Sequence, residues 1–372
     1  MSNAPISEIP SGQLQAEIAS FDTGMPIIEE RAPEPIWWTG TAPIAPSEFQ
    51  IDAREYAADA GELWENKALA KRMQETFERV GLVHVINTGL DDITPMRELA
   101  KHVIQTDMDY KGGANPRDAL QKNVYEIGAP LPAWLHYHHE MAYVGHSTSM
   151  LGFLCKQATP GKGQTFVSDN VKATDAILAT PFGQKLKDHG LCYHRKLTNR
   201  DAFAEDDNSG IYNHWQKSMM TEDPAEAEAA CQARGLETEW GPNRLLITRY
   251  YTSAFEYFPG LDRNLLFSSI ADDSVWFDAW PNVMHLPHDE RPLKLTFGNG
   301  EEITADEVRQ FIDVYDQFGM PIEWAKGDIA IVCNYRFAHG RPAIHLEPGE
   351  KRELGVMIGA AFERVETLPN KW

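Results

Sequence analysis

The sequence predicts a mainly β protein with helical additions, folded as a double-stranded β-helix, or jelly roll. Three observations carry that expectation. Apolar runs of strand length recur at Leu82–Ile86, Leu191–Leu197, Leu245–Tyr251, Ile329–Cys333 and Leu354–Ala361, separated by turn formers. Helical stripes are grouped early and in insertions, which suits an antiparallel sheet better than alternating parallel βαβ units. No internal repeat or low-complexity tract is present, so a closed or sandwiched antiparallel sheet is the architecture left.

In chain order, residues 1–50 read as a Pro-rich leader packed on the body, because Pro33, Pro35, Pro43 and Pro46 forbid a long helix, and the Trp37-Trp38 pair is expected to dock into the core. Residues 51–372 are expected to form one domain. From Glu62 to Val80 apolar residues recur at Leu69, Met73, Phe77 and Val80, a helical stripe that Gly81 ends in a left-handed cap. Leu82–Ile86 is a short buried strand, and after a turn at Asn87-Thr88-Gly89 a helix is expected to start at Thr94 with Pro95 in its first position. Gly145–Leu154 and Gln164–Val167 read as strands on either side of the Pro160-Gly161-Lys162-Gly163 turn, and one helix is expected from Ser168 or Asp169 to Gly190. Residues 198–243 break the pattern as a helical insertion, with Asp223 as cap, Pro224 in the first position and Gly235 past the end. A Thr304-to-Glu307 capping box opens a helix running to Gly319 with Val308, Phe311, Ile312 and Tyr315 on its apolar face.

Charge and composition narrow the function. A formal net charge of −21 repels a phosphate backbone, and no basic, aromatic-interleaved run is present, so a small-molecule substrate is expected, with no nucleic acid. Cys155, Cys192, Cys231 and Cys333 show neither disulfide-framework nor zinc spacing, and the N-terminus lacks the basic and apolar regions of a signal peptide. No stretch is apolar for long enough to span a bilayer, so a cytoplasmic protein with no membrane partner is expected, with homo-oligomerisation open.

The chemistry concentrates at Trp134 to Tyr143, where His136, His138, His139 and Glu140 fall within five residues. In an extended chain, residues two apart share a face, so His138 and Glu140 project together and His139 points away. One imidazole and one carboxylate need a second histidine to complete the facial triad of a non-haem Fe(II) site, and His339 is expected to supply it. His136 shares the face of His138, so a His-x-His zinc or cupin-like site is the competing reading. His84, His102, His146, His285, His288 and His345 read as structural, and Trp134, Tyr143, Trp276 and Phe277 as core.

The second half of the constellation is Asn334-Tyr335-Arg336-Phe337-Ala338-His339-Gly340-Arg341, followed by Arg352 thirteen residues past His339. Together with His138-His139-Glu140 it resembles the taurine dioxygenase and clavaminate synthase-like superfamily of Fe(II)- and 2-oxoglutarate-dependent oxygenases, over about Leu82 to Phe362. The resemblance implies that His138, Glu140 and His339 hold the metal, that Arg352 grips the far carboxylate of 2-oxoglutarate, and that Thr165 helps hold it. Arg341 is the reserve arginine, and Arg364 comes late. Glu140, where much of the family carries Asp, leans the likeness toward clavaminate synthase-like members, as does the run Glu140-Met141-Ala142-Tyr143. A ligand carboxylate at that position also argues against a halogenase.

The function implied is a dioxygenase that converts 2-oxoglutarate and O2 to succinate and CO2 while hydroxylating, desaturating or cyclising a small polar metabolite, such as an amino acid or derivative. Substrate contacts are expected among Asn123, Tyr125, Arg195 and Arg249. The alternative is a non-oxidative jelly-roll metalloprotein: an isomerase, a hydrolase or a ligand-binding module.

Overall fold

The structure is a computed structural model and describes residues 43–57, 59–110, 119–126, 131, 134–202, 214–271, 292–364 and 371–372. Most of the leader with Trp37-Trp38, part of the 198–243 segment, and Trp276, Phe277, His285 and His288 lie outside the described residues.

In chain order the strands are β1 (Gln50–Asp52), β2 (Leu82–Ile86), β3 (Ala119–Gln121), β4 (Val124–Glu126), β5 (Leu135–His138), β6 (His146–Gln157), β7 (Thr165–Asp169) and β8 (Leu191–Leu197). There follow β9 (Glu237–Trp240), β10 (Leu246–Thr252), β11 (Phe255–Phe258), β12 (Arg263–Leu266), β13 (Leu293–Phe297), β14 (Gly319–Ile322), β15 (Ile329–Cys333), β16 (Phe337–Arg341) and β17 (Glu353–Glu363). Two sheets carry the site. The larger runs β1-β2-β15-β6-β17-β4-β3 and the smaller β14-β7-β16-β5; β13-β8-β10-β9 and the hairpin β11-β12 are additions. All pairings are antiparallel except β1 with β2. The two principal sheets meet face to face, with Phe153 of β6 against His339 of β16 at 5.6 Å between ring centroids. This is the jelly roll that the strand-length apolar runs predict.

Continuous burial of β2 and β15 has a packing cause. Their inner side faces the smaller sheet, and α1 (Lys67–Val80) and α2 (Ile93–Ala100) cover the outer side, so the one polar residue of these strands, His84, is buried and paired with Asp328. The α1 stripe is as expected, with Leu69, Met73, Phe77 and Val80 buried, each worth about 1.5–3 kcal/mol. Gly81 ends it in the left-handed conformation, and Arg336 Nη1 covers the carbonyls of Glu78 and Arg79.

Four expectations change. Helix α1 starts at Lys67 and not Glu62, because the Asn66 side chain accepts from Ala68 and Leu69 N–H, and a 3-10 turn occupies Ala60–Glu65. The cap of α2 is Asp92, whose carboxylate accepts from Thr94 N–H. The expected single helix from Asp169 to Gly190 is two, α3 (Asn170–Leu178) and α4 (Pro181–His189), since Thr180 caps a new start before Pro181. His339 lies within a strand, β16, where the sequence placed it only after one. The later helices agree: α5 (Pro224–Gln232) carries the Asp223 cap, and α6 (Ala305–Gln317) has both bonds of its capping box. Among the described residues, no helix is long and apolar enough to cross a membrane.

Candidate metal centre

His138 closes β5 and pairs in register with His339 of β16, so two sequence-distant histidines meet across one rung of the smaller sheet. Their ring centroids are 4.3 Å apart. The His138 Nδ1 lies 2.8 Å from the His136 carbonyl. A carbonyl only accepts, so Nδ1 carries the proton and Nε2 keeps the lone pair a metal needs.

Glu140 reaches the same place by a route the sequence did not predict. Strand β5 ends at His138, and the chain turns through His139 to Val144, with Met141 at φ 58°. Alternation along a strand therefore does not bring His138 and Glu140 together. Asn334 does. Its Oδ1 accepts from the Glu140 N–H, and its Nδ2 donates to the carbonyls of Glu140 and Thr148. The Ser147 hydroxyl also donates to the Glu140 carbonyl. Glu140 Oε2 lies 4.0 Å from His339 Nε2, both side chains buried. One ligand atom from each of His138, Glu140 and His339 lies within 4.8 Å of the others, so the three could hold a metal ion.

The neighbouring histidines are occupied elsewhere. His139 is fully buried, stacked on Phe267 at 4.9 Å and bonded to the Ser268 backbone, and burial pushes its pKa down to about 3. His136 lies beside Trp134, 5.9 Å between centroids, and is outside the triad group. His84 contacts Asp328 at 3.3 Å, and His102 bonds the Trp64 carbonyl.

In the turn before β7, Gly163 sits at φ +74°, and a Cβ there would lie 2.6 Å from Arg352 Nε, so both backbone and space require glycine. Arg352 Nε donates to the Gly163 carbonyl at 3.1 Å, while its Nη2 is buried with no hydrogen-bond partner among the described residues. Burial pushes the guanidinium down to about 10, so it is still a cation at neutral pH. Thr165, two residues on, is buried and accepts from Trp324 Nε1 at 3.1 Å. Arg341 is engaged differently: its Nη1 donates to the Leu131 and Pro342 carbonyls, and burial pushes it down to about 9. Arg364 forms a buried pair with Glu256 at 2.9 Å and ties down the Ala142 carbonyl.

The expected substrate contacts divide. Asn123 accepts from Met108 N–H and donates to Asp107, and the Tyr125 hydroxyl accepts from Tyr110 N–H, so both hold local backbone. Arg249, half-buried on β10, bonds Glu239. Arg195, buried on β8, lies over the Tyr143 ring at 4.9 Å, and the Tyr143 phenol is pushed up by burial, with Tyr110 and the Glu140 carboxylate adding to the shift. Sequence reasoning left Asn334 without a role, although it opened the constellation, and gave no hint of Trp324.

A jelly roll that gathers two histidines and a carboxylate inside offers the donor set of a mononuclear metal site. The chain matches, over residues 43–358, the family described as Taurine catabolism dioxygenase TauD, TfdA family, and belongs to it. It is a 2-oxoglutarate-dependent non-haem iron dioxygenase that uses Fe(II), 2-oxoglutarate and O2. It is similar to a clavaminate synthase-like protein of Arabidopsis thaliana, 27% identical over 241 residues that cover 63% of this chain and 69% of that protein. It is also similar to the Dapdiamide synthesis protein DdaC of Enterobacter agglomerans, 22% identical over 306 residues covering 80% and 88%. Among solved structures, a taurine dioxygenase from Burkholderia xenovorans is similar at 11% identity and a TM-score of 0.43, covering 82% of this chain and 88% of that one.

Proposed function

We propose that His138, Glu140 and His339 hold the iron, that Arg352 and Thr165 hold the distal carboxylate of 2-oxoglutarate, and that the substrate is a small polar metabolite, an amino acid or derivative. The convergence of the three ligand atoms within 4.8 Å carries the reading of the metal site. Three protein ligands would leave a bound Fe(II) room for the keto acid and for O2. The bound iron supplies the oxidation of a C–H bond. The chain's own residues set the geometry: His136 orients the His138 ring, Asn334 fixes the Glu140 backbone, and Arg352 presents a buried Nη2, without a hydrogen-bond partner among the described residues, where a carboxylate would complement it. The donor set fits Fe(II), and the arginine cradle fits a dianionic keto acid.

The substrate class rests on Arg195, a buried cation beside Tyr143, which suits a substrate carboxylate, and on the relative named for dapdiamide synthesis. One oxygenase domain over residues 51–372 with an insertion near 198–243 is the organisation we favour. Four buried, free cysteines suit a reducing cytoplasm, and the acidic chain suits neither nucleic acid nor an anionic membrane. The test is anaerobic addition of Fe(II) and 2-oxoglutarate, which should develop a weak visible charge-transfer band. His339→Ala and Glu140→Ala should abolish the band and weaken iron binding, and His136→Ala should keep both. Metal loss in His136→Ala with retention in Glu140→Ala would overturn the triad.

A further inference from the structure

Thr165 begins β7 opposite Ile322 of β14, and two residues past Ile322 the chain places Trp324 so that its indole N–H meets the Thr165 hydroxyl oxygen at 3.1 Å. An indole nitrogen only donates, whereas a hydroxyl has one hydrogen and two lone pairs. The Trp324 bond therefore fills a lone pair on Thr165 and leaves the hydroxyl hydrogen to point at something else. Trp324 is only partly buried, so water could satisfy its N–H; directing it at Thr165 is set by its surroundings.

Those surroundings hold the indole on several sides. Buried His84 meets its edge at 5.6 Å and 73°, and Phe153, which also touches His339, lies 6.3 Å away. His84 is fixed between Asp328 at 3.3 Å and Gln50 at 3.4 Å. Asp328 Oδ2 accepts from Ala325 N–H at 2.9 Å, closing the turn that follows Trp324. We propose that Trp324 is a positioning residue for the cosubstrate: it orients the Thr165 hydroxyl so that its hydrogen is donated to the distal carboxylate of 2-oxoglutarate. This rests on the reading that Thr165 and Arg352 hold that carboxylate, and it adds a residue that never touches the keto acid. A threonine free to rotate would spend part of its time offering a lone pair to a carboxylate, which repels it.

The experiment is a double-mutant cycle read on the dissociation constant of 2-oxoglutarate, titrated anaerobically on the Fe(II) protein by the charge-transfer band. Losing the orienting bond should weaken binding by about two- to tenfold in Trp324→Phe, the range of one net hydrogen bond. Replacing Trp324 with benzothienylalanine, which keeps the shape and loses only the N–H, should give the same loss and guards against a packing defect in the phenylalanine variant. Thr165→Val should weaken binding at least as much, and adding Trp324→Phe to it should cost nothing further, because the group to be oriented is gone. Thr165→Ser should keep both the affinity and the sensitivity to Trp324. If Thr165→Val weakens binding while the Trp324 variants bind as wild type, or if the two losses add, the positioning role is wrong and the keto-acid site stands. If Thr165→Val itself binds normally, the assignment of Thr165 fails first, and the role of Trp324 with it.

Discussion

Removing the Arg352 guanidinium should be the most damaging single change that leaves the iron in place. Nε is committed to the Gly163 carbonyl and Nη2 is buried with no hydrogen-bond partner among the described residues, so a carboxylate arriving there meets a donor already stripped of water. A charge-assisted bond is worth about 1.5–3 kcal/mol, and each 1.4 kcal/mol is about tenfold in affinity, so one such bond corresponds to roughly ten- to a hundredfold weaker 2-oxoglutarate binding in Arg352→Ala. Arg352→Lys should recover only part, since a point donor cannot span both carboxylate oxygens. The pH dependence has a definite sign. Burial lowers the arginine to about 10, so the cation persists through neutrality, and binding should be flat there and fall as pH rises past about 10. The assay is titration of the visible band in wild type, Arg352→Ala, Arg352→Lys and Arg341→Ala, with iron stoichiometry measured in parallel. A large loss in Arg341→Ala with normal binding in Arg352→Ala would show that the other arginine grips the keto acid.

Three further outcomes follow from the geometry. Asn334→Ala removes three hydrogen bonds and takes the acceptor from the buried Glu140 N–H, while the Glu140 carbonyl keeps Ser147; this should cost about 2–4 kcal/mol in urea denaturation and weaken Fe(II) binding, whereas a purely structural effect would leave the iron affinity of the folded protein unchanged. Glu256→Ala strands the buried Arg364 charge and should cost about 3–5 kcal/mol by the same method, with Glu256→Gln losing less; equal losses would show that the charge is immaterial. Gly340→Ala puts a Cβ 2.2 Å from the Phe166 ring and 2.4 Å from the Leu135 carbonyl, so β5 and β16 must part beside the His138–His339 rung; a variant with wild-type melting temperature and iron content would refute that contact.

Much of this was legible because the informative residues are chemically singular. The strand bounds of β2, β8 and β15 follow from apolar runs flanked by turn formers, and the α6 capping box is a local signal read by the residues that make it. The three converging residues are legible by type and spacing, but strand alternation is not what pairs His138 with Glu140. Strand alternation cannot apply across a chain that turns at His139, and the turn is imposed by Asn334, 194 residues away from Glu140, which no local pattern reports. The short strands β3, β4, β11, β12 and β14 were missed for a related reason: at three or four residues they carry too little periodicity, and their partners define them. Asn123 and Tyr125 look like ligand-binding residues by type, yet their polar atoms are spent on Met108 and Tyr110 backbone, and that bookkeeping is visible only in three dimensions.

The Asn334–Glu140 latch has a consequence for the order in which the molecule matures. The centre draws one histidine and its carboxylate from the middle of the chain and the other histidine from near its end, so no contiguous fragment can form it. Contacts of such long sequence separation close late, after the loop entropy between them has been overcome. Until the strand that carries His339 docks, a nascent chain has at most two of the three proposed ligands. Metal then acts as a ligand of the native state alone, adding about 2.7 kcal/mol when free Fe(II) stands at a hundred times its dissociation constant.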